Sequence, residues 1–161
     1  MIGKSGSGKS TLINLIARLY DVEKGVVIIN NKRIDDYSKG ELSKQIEYIG
    51  QNEITNISKK EIIQNLNNSN FVNSNEILDF NLDEELSLGQ YQYLYLCKAL
   101  FSEKSVLMLD EIFTHIDSNK VQKVFEILKN QNKIIIIITH ESEIMSYCDE
   151  FISLGDFGYD T

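Results

Sequence analysis

The sequence predicts an α/β fold with a mostly parallel sheet, and three observations predict it. Two wholly apolar runs, Val106-Leu107-Met108-Leu109 and Ile134-Ile135-Ile136-Ile137-Ile138, have the make-up of parallel strands covered on both faces. Helical patterns stand before, between and after them, so strand and helix alternate through the second half of the chain. A glycine-rich loop from Gly3 to Ser10 stands directly before a further helical pattern.

Taken in order, Leu12, Leu15, Ile16 and Leu19 recur at helical spacing and predict a helix over residues 9–19. Gly25 breaks that pattern, Val26-Val27-Ile28-Ile29 reads as a strand, and Asn30-Asn31 as a tight turn. Ile46-Glu47-Tyr48-Ile49 is a second short strand ending at Gly50-Gln51. Residues 52–85 are polar and Asn-rich, with weak helical periodicity over 60–66. A helix follows over 89–101, and Val121, Val124, Phe125 and Leu128 mark another, with Asp117 or Ser118 as its N-cap. A short helix from Ser142 and a last strand, Phe151-Ile152-Ser153-Leu154, complete the series.

At 161 residues and 42% apolar content the chain suits one domain with a real core. Its 16 basic against 24 acidic side chains give a formal charge of −8, which disfavours nucleic acid as a partner. An anionic ligand would then have to be held by local groups. Cys97 and Cys148 form neither a CxxC pair nor a disulfide framework, and with only His115 and His140 beside them a zinc site is not expected. They read as reduced thiols of a cytosolic protein. The longest apolar run, at 134–138, is far too short to span a bilayer.

Gly3-Lys4-Ser5-Gly6-Ser7-Gly8-Lys9-Ser10 fits GxxxxGK[ST] in full. Glycines let such a loop wrap closely and aim its N–H groups at phosphate oxygens, and the helix behind adds its partial positive charge. Lys9 is expected to reach the β- and γ-phosphates, and the Ser10 hydroxyl to ligate Mg²⁺. Asp110-Glu111 ends the apolar run 106–109, at the sheet edge where such folds place ligands. Asp110 is expected to hold Mg²⁺ through water, and Glu111 to polarise the attacking water as general base. Alone, two acids after a strand more often form a solvated strand end. A phosphate loop on the same chain reverses those odds.

Leu86-Ser87-Leu88-Gly89-Gln90 resembles the LSGGQ signature of ATP-binding-cassette (ABC) ATPases, with Leu88 in place of the first glycine and Tyr93 where an arginine is usual further on. Tyr48-Ile49-Gly50-Gln51 resembles the family's Q-loop, Asp110 to Asp117 its carboxylate strand end and D-loop, and Ile138-Thr139-His140 its switch histidine. Tyr20-Asp21-Val22-Glu23-Lys24-Gly25 is similar to the stretch after the P-loop helix in exporter cassettes.

This resemblance implies a P-loop NTPase with a RecA-like core over residues 1–51 and 105–161, and a short helical subdomain over 52–104 that includes the signature helix. It implies catalytic roles for Lys9, Gln51, Glu111 and His140, and Mg²⁺ held by Ser10, Gln51 and Asp110. ATP would lie on Gly3, Lys4, Ser5, Gly6, Ser7, Gly8, Lys9, Ser10 and Thr11. Two cassettes would dimerise head to tail, so that Ser87, Gly89 and Gln90 serve the ATP held by the partner. A transmembrane domain outside these residues would place the chain at the cytoplasmic face of the cell membrane. Taken singly, Ser87 suits a helix N-cap, His140 a surface histidine, and Tyr91, Tyr93 and Tyr95 packing or subunit contacts. His115 is assigned no role.

Two features depart from the family's pattern. Met1-Ile2 leads at once into the phosphate loop, so the sequence reads as a cassette incomplete at its N-terminus, without the upstream aromatic that stacks on adenine. Such stacking is worth roughly 1–3 kcal/mol in single-strand binders. The stretch between Gln51 and Leu86 is also short for the subdomain that docks on a membrane subunit. Two other functions compete with ATP-driven transport. Non-transport cassettes of repair or chromosome type carry a coiled coil between P-loop and signature, and no heptad run occurs here, while translation types carry two cassettes and one is seen. A binding-only regulatory cassette is disfavoured by the presence of Glu111 and His140 but left open by the incomplete N-terminal segment.

Overall fold

In chain order the elements are α1 (Lys9–Ile16), a hairpin of β1 (Ile28–Ile29) and β2 (Lys32–Arg33), a 3-10 turn (Ile34–Asp36), α2 (Lys39–Ser43), β3 (Ile46–Gly50), α3 (Leu88–Leu100), β4 (Val106–Asp110), α4 (Ser118–Lys129), β5 (Ile134–Ile138) and α5 (Ser142–Met145). This computed structural model describes residues 1–4, 6–29, 31–50, 60 and 84–154. Residues 52–59 and 61–83, most of the expected short subdomain, lie outside the described residues, as do Ser5 and Gln51.

Three strands form the parallel sheet, in the order β3-β4-β5. Their register aligns Gly50 with Asp110 and Asp110 with Ile138, so all three end at one edge. The sheet continues beyond β5. Thr139 N–H donates to Met1 O at 3.3 Å, and Ile2 bridges Ser153 in parallel, with Ile2 N–H to Ile152 O and Leu154 N–H to Ile2 O both 2.9 Å. The glycine-rich loop therefore leaves the sheet at the edge where β3, β4 and β5 finish.

Burial on both faces accounts for the apolar run of β4 and for the end of β5, where Ile137 and Ile138 are buried, whereas Ile134 at its start is exposed. Leu107, Leu109 and Ile137 join one core with α3 and α4, while Met108 and Ile138 join a second with Ile13 of α1, Ile34, Tyr37, Leu42 and Ile46. Side chains that alternate along a strand thus reach separate clusters. In α4 the predicted stripe Val121, Val124, Phe125 and Leu128 is buried, and the Asp117 carboxylate caps the helix by accepting from Asn119 N–H at 2.9 Å. Phe125 stacks between Phe113 and Tyr147, with centroids 5.5 and 4.4 Å away.

Local chemistry sets the boundaries where the pattern misled. Helix α1 ends at Ile16, short of residue 19, because Arg18 turns left-handed (φ 55) and the N–H groups of Leu19 and Tyr20 bend back to Asn14 O. The turn after β1 follows the Asn prediction, with Asn31 at φ 61. The last strand is reduced to the Ser153 bridge, and Phe151 and Ile152 are exposed. Helix α2 was not anticipated, although Ser38 and Glu41 form a full capping box that starts it. Among the described residues no helix is long and apolar enough to cross a membrane.

Candidate nucleotide-binding site

Gly6 and Gly8 hold φ of 81 and 88, a left-handed backbone that side chains rarely adopt, and Gly8 is the N-cap of α1. The loop closes on itself through Ser7 N–H to Lys4 O at 3.1 Å. The first N–H groups of α1, on Lys9, Ser10 and Thr11, have no intrahelical acceptor and point out of the helix start. Lys9 lies inside this cradle, 5% exposed, with its ammonium donating to Gly3 O at 2.8 Å and Lys4 O at 2.9 Å. A buried cation among outward N–H groups suits an anion.

Asp110 ends β4 beside this loop and is buried. Burial pushes its carboxyl above the usual range. The Ser10 hydroxyl opposes that, the Glu111 charge adds to it, and the Tyr48 hydroxyl and Lys9 ammonium oppose it again. Those opposing groups place Asp110 beside the start of α1. Asp110 Oδ2 accepts from the Tyr48 hydroxyl at 3.4 Å, whereas Oδ1 is buried with no partner among the described residues. A hydroxyl and a buried carboxylate oxygen without a partner fit a hard cation, and magnesium commonly takes one or two carboxylates and completes its shell with phosphate and water. Among the described residues no cluster of three or more His, Cys, Asp or Glu side chains builds a metal cage, so nucleotide oxygens would supply part of that shell.

Glu111 sits at φ 54, a strained left-handed position for a residue with a Cβ, and its N–H donates to Ile138 O at 3.1 Å. The kink turns its side chain to His140, which follows β5, and Nε2 of His140 meets Oε1 of Glu111 at 2.8 Å. The Glu111–His140 pair could not be anticipated from spacing, because 29 positions of chain separate two residues that only the β4–β5 register brings together.

The signature segment is arranged differently. Ser87 is the N-cap of α3, its hydroxyl accepting from Gln90 N–H at 3.3 Å while Gln90 Oε1 accepts from Ser87 N–H at 2.9 Å. Leu88 beside them is 57% exposed. A Cβ on Gly89 would run into the carbonyl oxygen of His115, so the start of α3 rests on the loop that follows the carboxylates. Among the described residues no hydrogen bond joins Ser87 or Gln90 to the phosphate loop. Tyr93 and Tyr95 are buried packing residues, and the Lys120 ammonium lies 5.3 Å over the Tyr93 ring. The structure thus brings Lys9, Ser10, Asp110, Glu111 and His140 to one edge, while Ser87 and Gln90 bond each other and Gly89 abuts the His115 carbonyl.

A family model described as ABC transporter matches residues 1–114. The chain belongs to the ABC transporter family. It is 30% identical over 178 residues to an ATP-dependent lipid A-core flippase of Colwellia psychrerythraea, covering 96% of this chain and 30% of that protein. To the alpha-factor-transporting ATPase of Saccharomyces cerevisiae it is likewise 30% identical, covering 97% of this chain and 14% of that protein. The chain thus spans under a third of the length of these two relatives. A dimeric ATP-binding cassette solved in a post-hydrolysis state with ADP and Pi superposes with a TM-score of 0.72 at 23% identity, over 94% of this chain and 78% of that one. The fold is that of an ABC cassette, an α/β P-loop NTPase, and the chain is an ATP-binding domain whose relatives include exporters.

Proposed function

We propose that this chain binds and hydrolyses ATP as the nucleotide-binding domain of an exporter, closing head to tail on a second such domain. The observation that carries this reading is the convergence of phosphate loop, Asp110 and the Glu111–His140 pair at one sheet edge.

The loop from Gly3 to Ser10, Ser5 included, and Thr11 at the start of α1 wrap the triphosphate, with Lys9 exchanging its two loop carbonyls for phosphate oxygens. Ser10, Asp110 and Gln51 hold Mg²⁺, which when bound neutralises phosphate charge. Glu111 orients and deprotonates the attacking water, while His140 moves from Glu111 to the γ-phosphate and fixes the line of attack. Ser87, Gly89 and Gln90 complete the partner's site across the dimer. Residues 52–104 form the smaller subdomain, and residues 1–51 with 105–161 the core. Closure then drives a transmembrane domain from the cytoplasmic face of the membrane. The exporter relatives support transport, and the cassette with ADP and Pi supports the dimer and its ligand.

Glu111→Gln tests the hydrolytic part. ATP should stay bound while turnover falls about 100-fold or more, and a dimer holding ATP should accumulate on gel filtration. Hydrolysis at the unaltered rate would place the base elsewhere.

A further inference from the structure

We propose that Tyr48 is a positioning residue for the cation-holding carboxylate: its phenol holds one oxygen of Asp110 so that the other stays turned to the metal, and Gly50 leaves the space the phenol needs. Neither residue is among those expected to touch nucleotide or cation. The inference rests on the reading of Asp110 as a Mg²⁺ residue.

Register and packing carry it. In the β3–β4 pairing Tyr48 lies opposite Met108 and Gly50 opposite Asp110, so the Tyr48 ring must run two residues along the sheet to reach the carboxylate. It does so over Gly50, where an added Cβ would stand 2.6 Å from the Tyr48 hydroxyl oxygen and 3.0 Å from Cζ. Gly50 is buried, and no left-handed φ calls for glycine there; it is the ring that excludes a side chain. At the end of this path the hydroxyl donates to Asp110 Oδ2 at 3.4 Å, while Oδ1 is buried and without a partner among the described residues. A carboxylate held at one oxygen by the phenol is biased towards presenting the other, on the side where the Ser10 hydroxyl is expected to share the cation. Such outer contacts to ligating groups typically matter by about 10- to 100-fold in metal affinity.

The test uses Mn²⁺ as the probe, followed by electron paramagnetic resonance with the ATP-bound chain, beside ATP affinity measured in EDTA and a thermal melt. Tyr48→Phe should weaken Mn²⁺ about tenfold and leave metal-free ATP affinity and the melt unchanged. Gly50→Ala should give a similar loss with the phenol still present, and the double variant should be no worse than either single one, since both act through one contact. Asp110→Asn must lose more than either. If Asp110→Asn keeps its Mn²⁺, the reading of Asp110 falls and takes the inference with it. If Asp110→Asn loses Mn²⁺ but Tyr48→Phe does not, only the positioning role is wrong. Equal losses of Mn²⁺ and of metal-free ATP in Tyr48→Phe would mark a general packing role and likewise overturn it.

Discussion

The phosphate-loop edge and the signature segment both belong to nucleotide chemistry, yet they are built in opposite ways. At the edge, groups from three places in the chain meet: Lys9 and Ser10 from α1, Asp110 and Glu111 at the end of β4, His140 after β5. Lys9 and Asp110 are buried, Glu111 and the more exposed His140 bond each other, and Asp110 Oδ1 has no partner among the described residues. At the signature, Ser87 and Gln90 satisfy each other in a capping box, and exposed Leu88 lies between them. In the proposed reading the first arrangement holds an anion and a cation within one chain. The second is a well-formed helix start, which in the proposed reading serves a nucleotide brought to it by another molecule.

Lys9→Ala should have the largest effect on that contrast. Removing the buried ammonium deletes the one cation the loop encloses, and Mg-ATP affinity should fall about 100-fold in a fluorescent-nucleotide assay. Retained affinity would take the phosphate loop out of the account. Gly89→Ala should come next. Its Cβ meets the His115 carbonyl, so α3 or the loop after Glu111 must shift, at about 1–3 kcal/mol in chemical denaturation. An unchanged midpoint would mean that the two segments do not lean on each other.

The smallest effect concerns the thiols. Burial pushes Cys97 up to about 12, and Cys148, also raised by burial, is less enclosed. At pH 8 a thiol reagent should label Cys148 slowly and Cys97 only on unfolding. The folded state keeps the Cys97 proton that an unfolded thiol, at its ordinary 9.0, gives up, so this group's contribution to stability is present below pH 9 and falls between pH 9 and 12. Rapid labelling of both would contradict the burial of α3.

Much of this was legible in the sequence, for reasons that differ by region. The loop motif, the apolar runs of β4 and β5 and the stripe of α4 are local patterns, and local geometry follows from them. Ser87 as an N-cap and Tyr93 and Tyr95 as packing residues were legible in the same way. What spacing could not reveal is contact across strands: the strained Glu111 backbone, its meeting with His140, and the reach of Tyr48 to Asp110. Arg18 shortened a helix whose periodicity ran on, because a left-handed residue leaves no trace in a hydrophobic pattern. The capping box at Ser38 and Glu41 was visible in the sequence, but the five-residue helix behind it is too short to show a period.

In the proposed function the phosphate-loop edge binds nucleotide within one chain while the signature serves another. A calorimetric titration of Mg-ATP into the dilute, monomeric chain and into Ser87→Ala tests it most directly. The account predicts the same affinity for both, with a turnover defect in Ser87→Ala only at concentrations where the chain dimerises. A weakened affinity of the Ser87→Ala monomer would contradict it, because the signature would then be part of the chain's own site.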